Sequence, residues 1–264
     1  MLTFKPNPMK HVFNYSFLKA QVSTALFLCL LLVLSMCQKK QEDVNSDAQA
    51  TAIVDEVIKN MGGQKAWDTT RILAWTWRDQ YHIWDKYDNN FRWEKDTLVV
   101  IANLDTRQGK AYSKGRDITD EAAGKELIQN MYPIWANNSY WFIMPFKLKD
   151  NGVNLKYKGT ATTQAGENAD LLELTFENVG VTPDNRYILV VDKNSGLITE
   201  WSYFKQYTDE KPGFTMPWTD YQTYGKIKIS SGRGDAKMGM TNIAVLDKVP
   251  ADVFNSPVPV TKLK

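Results

Sequence analysis

The feature that most constrains the fold of this chain is a series of short segments in which apolar and polar residues alternate. In the first segment, Leu73, Trp75, Trp77 and Tyr81 share one face, with Thr76, Arg78, Gln80 and His82 on the other. Because successive side chains of a β-strand point to opposite faces, this period predicts a half-buried strand. The same criteria predict strands at 91–95, 97–103, 109–114, 153–157, 169–177, 186–192, 197–207, 221–230 and 238–246.

Turn-forming sequences separate these strands. They include Asp88-Asn89-Asn90, Arg107-Gln108-Gly109, Asp150-Asn151-Gly152 and the segment 192–196. Asn-Gly and Asp-Gly-type sequences between alternating segments are typical of hairpins, and hairpins join antiparallel strands. The sequence therefore predicts an antiparallel β-meander.

Two helices interrupt the meander. From Ala48 to Met61 the apolar residues recur every three or four positions, and Gly62-Gly63 then ends the predicted helix. A second helix is expected to begin with Thr119 as its N-cap, followed by two acidic residues. Pro133 is expected to kink this helix or to start a short helix through Trp135, because proline lacks a backbone donor. The expected fold class is α+β.

The N-terminal segment has the pattern of an export signal. Residues 25–36 form an apolar run that is too short to span a bilayer but suits the core of a signal peptide. Leu34-Ser35-Met36-Cys37 resembles the lipobox of bacterial lipoproteins, although Met36 differs from the small residue that this pattern prefers. The resemblance implies cleavage before Cys37 and acylation of its thiol. The alternative is an ordinary signal peptide followed by a chance cysteine.

These patterns divide the chain into three parts: a lipoprotein signal peptide at 1–36, a charged tether at 37–48 and one β-rich domain at 49–264. Several acyl chains would anchor the protein stably to the membrane. A Lys-then-acidic tract after Cys37 resembles the export tract of some surface lipoproteins. We therefore expect attachment to the outer membrane, on either its periplasmic or its surface side.

Charge and residue inventory exclude several classes of function. The chain has 32 basic and 30 acidic residues, and three of the basic residues lie in the predicted signal peptide, so the remainder is nearly neutral. This balance argues against nucleic acid as a partner, because phosphates require a basic surface. After cleavage, His82 and Cys37 would be the remaining histidine and cysteine, which excludes a zinc cage and an internal disulfide. No cofactor is expected.

The sequence contains no motif of nucleophilic catalysis, since a catalytic triad needs an imidazole beside its nucleophile and no Gly-x-Ser-x-Gly sequence occurs. Hydrolysis by two carboxylates remains an alternative. Its candidates are Asp79, Asp85, Glu94, Asp96, Glu173, Glu177 and Glu200. The sequence Gly232-Arg233-Gly234-Asp235 is interpreted as a hairpin loop, not as an adhesion or phosphate-binding motif.

Aromatic residues are the remaining functional signal. All nine Trp residues lie beyond residue 66, and large aromatic side chains either fill a core or line an apolar cavity. We expect part of this set to bind a hydrophobic or amphiphilic ligand, with Arg92 at the cavity mouth facing an anionic head group. The candidate residues are Trp75, Trp77, Tyr81, Arg92, Trp93, Trp135, Trp141, Met144, Trp201 and Tyr203. For each aromatic residue the alternative is a place in the core, and for Arg92 it is a surface salt bridge.

Two resemblances extend this interpretation. The opening segment IVDEVIKNMGGQKAW, followed by a long meander, resembles the LolA/LolB-like lipoprotein carriers. This resemblance implies an unclosed antiparallel barrel that wraps helices over a hydrophobic cavity. The blocks at 135–153, 180–187 and 217–221 resemble an uncharacterised family of bacterial lipoproteins. The leading hypothesis is a non-enzymatic lipoprotein that binds a lipid or acyl chain; the alternatives are an envelope module for glycans or partners and a carboxylate hydrolase.

Overall fold

The computed structural model describes residues 46–177 and 179–263. The predicted signal peptide, Cys37 and most of the predicted tether lie outside these residues. Within the described part of the chain, no helix has the length and apolarity needed to cross a membrane.

Fourteen antiparallel strands of the described chain form three sheets. A seven-stranded sheet, sheet 1, has the order β14-β1-β2-β3-β4-β5-β6, a five-stranded sheet, sheet 2, has the order β11-β10-β9-β8-β7, and β12 pairs with β13. Neither large sheet closes on itself. The strands are β1 Ile72–Trp77, β2 Gln80–Asp85, β3 Asn90–Lys95, β4 Leu98–Asn103, β5 Gly109–Ser113, β6 Arg116–Asp117, β7 Val153–Thr162, β8 Asn168–Phe176, β9 Arg186–Asp192, β10 Leu197–Phe204, β11 Phe214–Pro217, β12 Thr219–Tyr224, β13 Ile227–Gly232 and β14 Met240–Leu246.

Helices precede the two meanders. They are α1 Ala48–Asn60, α2 Gln64–Asp68 and α3 Ala122–Ile143, and a 3-10 helix, Met144–Lys147, follows α3 directly. The sequence thus correctly indicated an α+β fold dominated by antiparallel strands. Trp67, expected in a link, lies in the short helix α2.

Helix α1 begins as its sequence indicates. The Asp47 side chain caps it by accepting a hydrogen bond from the backbone N–H of Ala50 at 2.6 Å, which satisfies one of the free donors at the helix start. The same carboxylate accepts from the N–H of Tyr157 on β7 at 2.7 Å, and the backbone N–H of Asp47 donates to Leu155 O. The last residues of the predicted tether are therefore bound to the edge of sheet 2.

The segment predicted as the first strand, which contains Leu73 to His82, forms a hairpin of two strands instead of one strand. Strands β1 and β2 are joined through Arg78 and Asp79, and Arg78 has a φ of 55°. The pairing places His82 opposite Trp75 and Tyr81 opposite Thr76. Because paired residues share a face, Tyr81 lies on the side opposite Trp75 and Trp77, and the expected shared face is wrong. The turn reverses the chain without a Gly, Asn or Pro signal.

Most later strands match their predicted positions, with three exceptions. The segment 221–230 is a second hairpin, β12 and β13, which turns at Gly225 with a φ of 56°. Strands β6 and β11 were not expected. The segment 233–239 connects β13 to β14, and these two strands belong to different sheets, so it is not the loop of a hairpin.

Helix α3 is longer than the sequence suggests. It begins at Ala122, not at Thr119, whose hydroxyl oxygen instead accepts a hydrogen bond from the backbone N–H of Ala111 at 3.1 Å. Pro133 does not end the helix, which continues to Ile143. The Pro133 side chain is exposed, so the backbone carbonyl that it leaves without a donor can be hydrated.

A single main hydrophobic cluster joins the inner faces of both large sheets to α1 and α3. From sheet 1 it includes Trp75, Trp77 and Trp93, from α3 Phe142, and from sheet 2 Trp201. Helix α3 lies against β3, β4 and β5 on one side, and its Tyr140 and Trp141 rings contact Trp201 of sheet 2.

The chain beyond β14 covers the outer face of sheet 1. Val253 is buried there against Ile72, Ala74, Tyr81 and Ile83 of this face. Because this segment shields the outer face from water, sheet 1 can carry apolar residues on both of its faces. Residues 247–263 are called the C-terminal strap below.

Arg92 holds the C-terminal strap. Its guanidinium is fully buried, pairs with Glu94 at 2.6 Å and donates to the backbone carbonyls of Val253, Ser256 and Val258 at 2.6–2.9 Å. The Glu94 carboxylate also accepts from the N–H of Val260 at 3.0 Å. Arg92 therefore lies on the face opposite its neighbour Trp93 and is neither at a cavity mouth nor in a surface salt bridge.

Replacing Arg92 should release the strap. Arg92→Met leaves the Glu94 carboxylate buried without its cation, so we expect the free energy of unfolding to fall by about 3–5 kcal/mol. Urea unfolding measures this loss, and limited proteolysis should detect new cleavage after residue 250.

The double variant Arg92→Met/Glu94→Leu is the control, because it removes both charges. It should recover the part of the loss that comes from the unpaired carboxylate, whereas the carbonyls of Val253, Ser256 and Val258 lose their donor in both variants. Equal stability of the single and double variants would contradict the role assigned to the buried pair.

Candidate functional site

The candidate site is a cavity of about 210 Å³ between the second half of α3 and sheet 2. Helix α3 and the 3-10 helix form one wall, β8 and β9 form another, and the segments 150–153 and 179–182 border the opening. The lining residues are Tyr132, Trp135, Ala136, Asn137, Tyr140, Trp141, Lys147, Asp150, Asn151, Val153, Phe176, Val179, Gly180, Val181, Thr182 and Tyr187.

Aromatic rings supply most of the apolar wall. Tyr140 lies with its ring centroid 6.2 Å from that of Phe176 and 5.7 Å from that of Tyr187. Tyr187 in turn stacks on Trp201 at 4.9 Å, and Trp141 meets Trp201 edge-on at 4.8 Å. Trp201 therefore packs behind both Tyr187 and Trp141 of the wall.

Two polar atoms of the wall side chains have no partner. The indole N–H of Trp135 and the hydroxyl of Tyr140 are buried, and neither has a hydrogen-bond partner among the described residues. Burial raises the pKa of the Tyr140 hydroxyl well above its usual value, so it remains protonated. Leaving such a group unpaired costs about 1–3 kcal/mol, so unpaired buried groups mark places where a further partner would be stabilising.

The border of the cavity is polar. Lys147 and Asp150 form an ion pair there, with their side chains 23% and 47% exposed. Gly152 adopts a φ of 77°, and a Cβ atom at this position would lie 2.5 Å from Val179 Cγ1. The absence of a side chain at residue 152 thus allows Val179 to pack closely against this border.

The structure distributes the ten candidate residues over different places. Trp135 and Trp141 line the cavity. Trp201 lies behind the wall, and Tyr203 lies beside it, 5.6 Å from Tyr187. The other six lie elsewhere: Trp75, Trp77, Trp93 and Met144 are buried in the main core, and Tyr81 and Arg92 face the C-terminal strap.

The prediction missed four aromatic residues of the wall: Tyr132, Tyr140, Phe176 and Tyr187. Tyr132, Ala136 and Tyr140 recur at four-residue spacing on one face of α3, which is a helical signal. It was overlooked because Pro133 was expected to kink the helix or to start a short helix through Trp135, so a continuous helical face from Tyr132 to Tyr140 was not considered. Phe176 and Tyr187 lie on strands that were correctly placed, but no local pattern shows which sheet face meets a helix.

The end of α3 is fixed by Arg233, from the sequence that resembles an adhesion motif. Arg233 is buried, with its guanidinium carbon 3.4 Å from the centroid of the Trp218 ring, and it donates to the backbone carbonyl of Trp141 at 2.7 Å. Burial lowers its pKa to about 9, so it stays charged at neutral pH. A cation at the last carbonyls of a helix is favourable, and here it positions Trp141.

His82 belongs to a buried polar network on the opposite side of α3. Its ring stacks on Trp75 at 4.6 Å. Its Nδ1 lies 3.2 Å from Trp75 O, and its Nε2 lies 2.9 Å from Asn138 Nδ2. A carbonyl can only accept, so Nδ1 carries the proton and Nε2 accepts from Asn138. The same amide nitrogen also donates to Gln80, which accepts from the indole of Trp93 at 2.7 Å.

Four of the seven carboxylates considered for hydrolysis are held in ion pairs. The pairs are Asp79 with Lys95, Asp85 with Arg71, Glu94 with Arg92, and Glu173 with Arg186, at 2.6–3.3 Å. The pKa of Asp79 is lowered by its hydrogen bond to Lys95, which disfavours a role as proton donor. Within the described ranges, no group of three or more His, Cys, Asp or Glu side chains could hold a metal ion.

Comparison with known proteins yields no family and weak structural similarities. No family model matches the chain, and no curated protein matches it. A DUF1329 family protein from Desulfovibrio piger ATCC 29098 is 12% identical, with a TM-score of 0.40 over 78% of this chain and 97% of that chain. MucB, in its complex with MucA(peri), is 13% identical, with a TM-score of 0.21 over 78% of this chain and 59% of that chain. At these scores neither similarity carries an argument about function.

The buried position of His82 predicts a pH-dependent stability. Burial lowers its folded-state pKa to about 3, whereas an unfolded histidine titrates near 6.5. Below pH 6.5 the unfolded chain therefore binds a proton that the folded protein does not bind. From pH 7 to pH 5 this group should lower the free energy of unfolding by about 2 kcal/mol, measured by urea unfolding.

The variant His82→Gln should lose this contribution, so its stability should fall less steeply over the same pH range. In the wild-type protein, the NMR signal of the His82 ring should not shift between pH 8 and pH 5. A ring that titrates near pH 6.5 in the folded protein would contradict the assignment.

Proposed function

We propose that this protein is a cell-envelope lipoprotein with a LolA-like half-barrel, and that it binds the apolar part of a hydrophobic or amphiphilic ligand without catalysing a reaction. The observation that carries this proposal is the aromatic-walled cavity between α3 and sheet 2. Apolar walls with a few polar groups are the usual composition of a small-molecule site.

The volume limits the part of the ligand that is buried. At about 30 Å³ for each water-sized group, a cavity of about 210 Å³ holds roughly seven such groups. This suits a short acyl segment or a single ring and is too small for a whole lipid. The rest of a longer amphiphile would extend past the border.

The polar border supports an amphiphilic ligand. Lys147, Asp150, Asn137, Asn151 and Thr182 lie at or near the opening. These side chains can hydrogen-bond a polar head group while the aromatic wall contacts the apolar segment. The Lys147–Asp150 pair balances its own charge, so this border does not require a charged head group.

The place of the protein in the envelope rests on Cys37. We propose that Cys37 is acylated and anchors the domain to the outer membrane, on either the periplasmic or the surface side. The support is the apolar run at 25–36 and the lipobox-like sequence that follows it.

A series of straight-chain 1-alkanols tests the binding site. Each added methylene should raise the affinity about fourfold, up to roughly seven heavy atoms, beyond which the gain should stop because the cavity is full. Trp135 and Trp141 lie on the wall, so tryptophan fluorescence reports binding. The variant Ala136→Leu, which extends a side chain into the cavity, should weaken binding of the longest well-bound alkanol about tenfold or more.

Ala122→Leu is the matched control, because it makes the same change on the same helix at an exposed position away from the cavity. It should bind as the wild-type protein does. Alkanols that do not bind, or that bind equally to both variants, would exclude this cavity as the site.

The anchor has a separate test. In cells, the full-length protein should fractionate with the outer membrane, and Cys37→Ser should move it out of the membrane fraction and change its electrophoretic mobility. An unchanged distribution and mobility would exclude lipidation at Cys37.

A further inference from the structure

The N-terminal end of the domain lies beside the cavity. The Ser46 hydroxyl donates to the backbone carbonyl of Val153 at 3.4 Å and accepts from the N–H of Leu155 at 2.9 Å. Asp47 is bound to the same strand through its backbone and its carboxylate, and Val153 lines the cavity. The preceding part of the chain therefore joins the domain at the segment 150–153, which borders the opening.

A short stretch of sequence connects this point to the proposed anchor. Eight residues, 38–45, separate Cys37 from Ser46. A chain spans at most about 3.6 Å for each residue, so the Cα atoms of Cys37 and Ser46 lie within roughly 30 Å of each other. Because an acylated Cys37 lies at the bilayer surface, the border of the cavity stays within about this distance of the same bilayer.

Apolar side chains are exposed around the opening. Val181 lines the cavity and is 44% exposed. On α3, Pro133 is exposed and lies three and four residues before Ala136 and Asn137 of the lining, so it is on the same side of the helix. Apolar residues in this position are stabilised when a partner removes them from water.

Aromatic rings and a cation flank the same opening. Tyr132 and Trp135 of the lining are half-buried. Arg107 is exposed, and its guanidinium carbon lies 3.4 Å from the centroid of the Tyr132 ring. Tyrosine and tryptophan are enriched at the level of lipid head groups, and arginine can extend its charge toward lipid phosphates. This side of the domain therefore has the composition of a surface that meets a bilayer.

The volume of the cavity favours the same partner. About 210 Å³ holds a short part of an acyl chain, and the remainder extends past the border. If the opening faced water, each methylene of the remainder left in water would lower the affinity about fourfold. An opening in contact with a bilayer avoids this loss, because the remainder stays in hydrocarbon.

We propose that the opening of the cavity, with Tyr132, Pro133 and Val181 around it, contacts the bilayer that carries the Cys37 anchor, and that the cavity takes the end of an amphiphile directly from that bilayer. This inference rests on the proposed function, because it uses both the cavity and the anchor. It adds the partner surface and the orientation of the domain, in which the C-terminal strap points away from the membrane.

Two labelled variants measure this orientation. Val181→Cys and Val258→Cys each replace an exposed valine, and Val258 lies in the strap, on the other side of sheet 1 from the cavity. Acylation blocks Cys37, so a fluorophore attaches to the new thiol of the mature lipoprotein. The protein is reconstituted in vesicles of phosphatidylethanolamine that contain phosphatidylcholine with a nitroxide on its acyl chain. We expect the nitroxide to quench the label at 181 several-fold more than the label at 258, and aqueous iodide to show the reverse order.

A charge at the opening should weaken the contact. Pro133→Glu places a carboxylate at the proposed surface, where it must give up hydration on contact with the bilayer. In the Val181→Cys protein, this change should reduce quenching by the nitroxide several-fold. Ala122→Glu is the matched control, because it adds the same charge at an exposed position at the start of the same helix, and it should leave the quenching unchanged.

The outcomes separate this inference from the proposed function. Equal quenching at 181 and 258, or equal effects of Pro133→Glu and Ala122→Glu, would overturn the bilayer contact. Shielding of position 181 from iodide without quenching by the nitroxide would also overturn it, because protein, such as a second copy of this chain, would then cover the opening. The alkanol series and the Cys37→Ser fractionation test the cavity and the anchor independently, so success there with failure here removes the contact alone.

Discussion

The packing of the aromatic residues of α3 between the two large sheets is the interaction on which the rest of the structure depends. Phe142 stacks on Trp75 of sheet 1 at 4.7 Å, and Trp141 stacks on Trp77 of the same sheet at 5.2 Å. On the other side, Trp141 meets Trp201 of sheet 2. This helix thus contributes to the core of both sheets, and α1 covers a further part of the inner face of sheet 2.

This packing also decides where space remains. On the side of sheet 1, Trp141 and Phe142 of the helix stack on Trp77 and Trp75, and Asn138 hydrogen-bonds to His82. On the side of sheet 2, Tyr140 of α3, Phe176 of β8 and Tyr187 of β9 line the cavity. Trp75, Trp77 and Trp93 are therefore core residues, whereas Trp135 and Trp141 line the cavity.

Buried charges hold the segments that close the domain. Arg92 fixes the C-terminal strap through three carbonyls and Glu94, and Arg233 fixes the end of α3. Burying a guanidinium is costly unless its donors are used, so these contacts define one arrangement of strap and helix instead of several. Arg92 was expected at the mouth of a cavity and Arg233 in a hairpin loop. Their carbonyl partners, in the strap for Arg92 and at Trp141 for Arg233, lie in distant parts of the sequence.

The sequence by itself determined the α+β class, the position of α1, and most strands of the two meanders. Period-two alternation and glycine or asparagine turns are local signals, which can be recognised in the sequence without a structure. The same reasoning failed at Arg78-Asp79, where no Gly, Asn or Pro marks the hairpin, and at Pro133, whose exposed position lets the helix continue. Only the tertiary structure decided which face of each strand meets α3, that Arg92 serves the strap, and that Tyr140 and Tyr187 meet across a cavity. These outcomes depend on contacts between residues far apart in the chain, such as the 161-residue separation of Arg92 from Val253, and no local periodicity encodes such contacts.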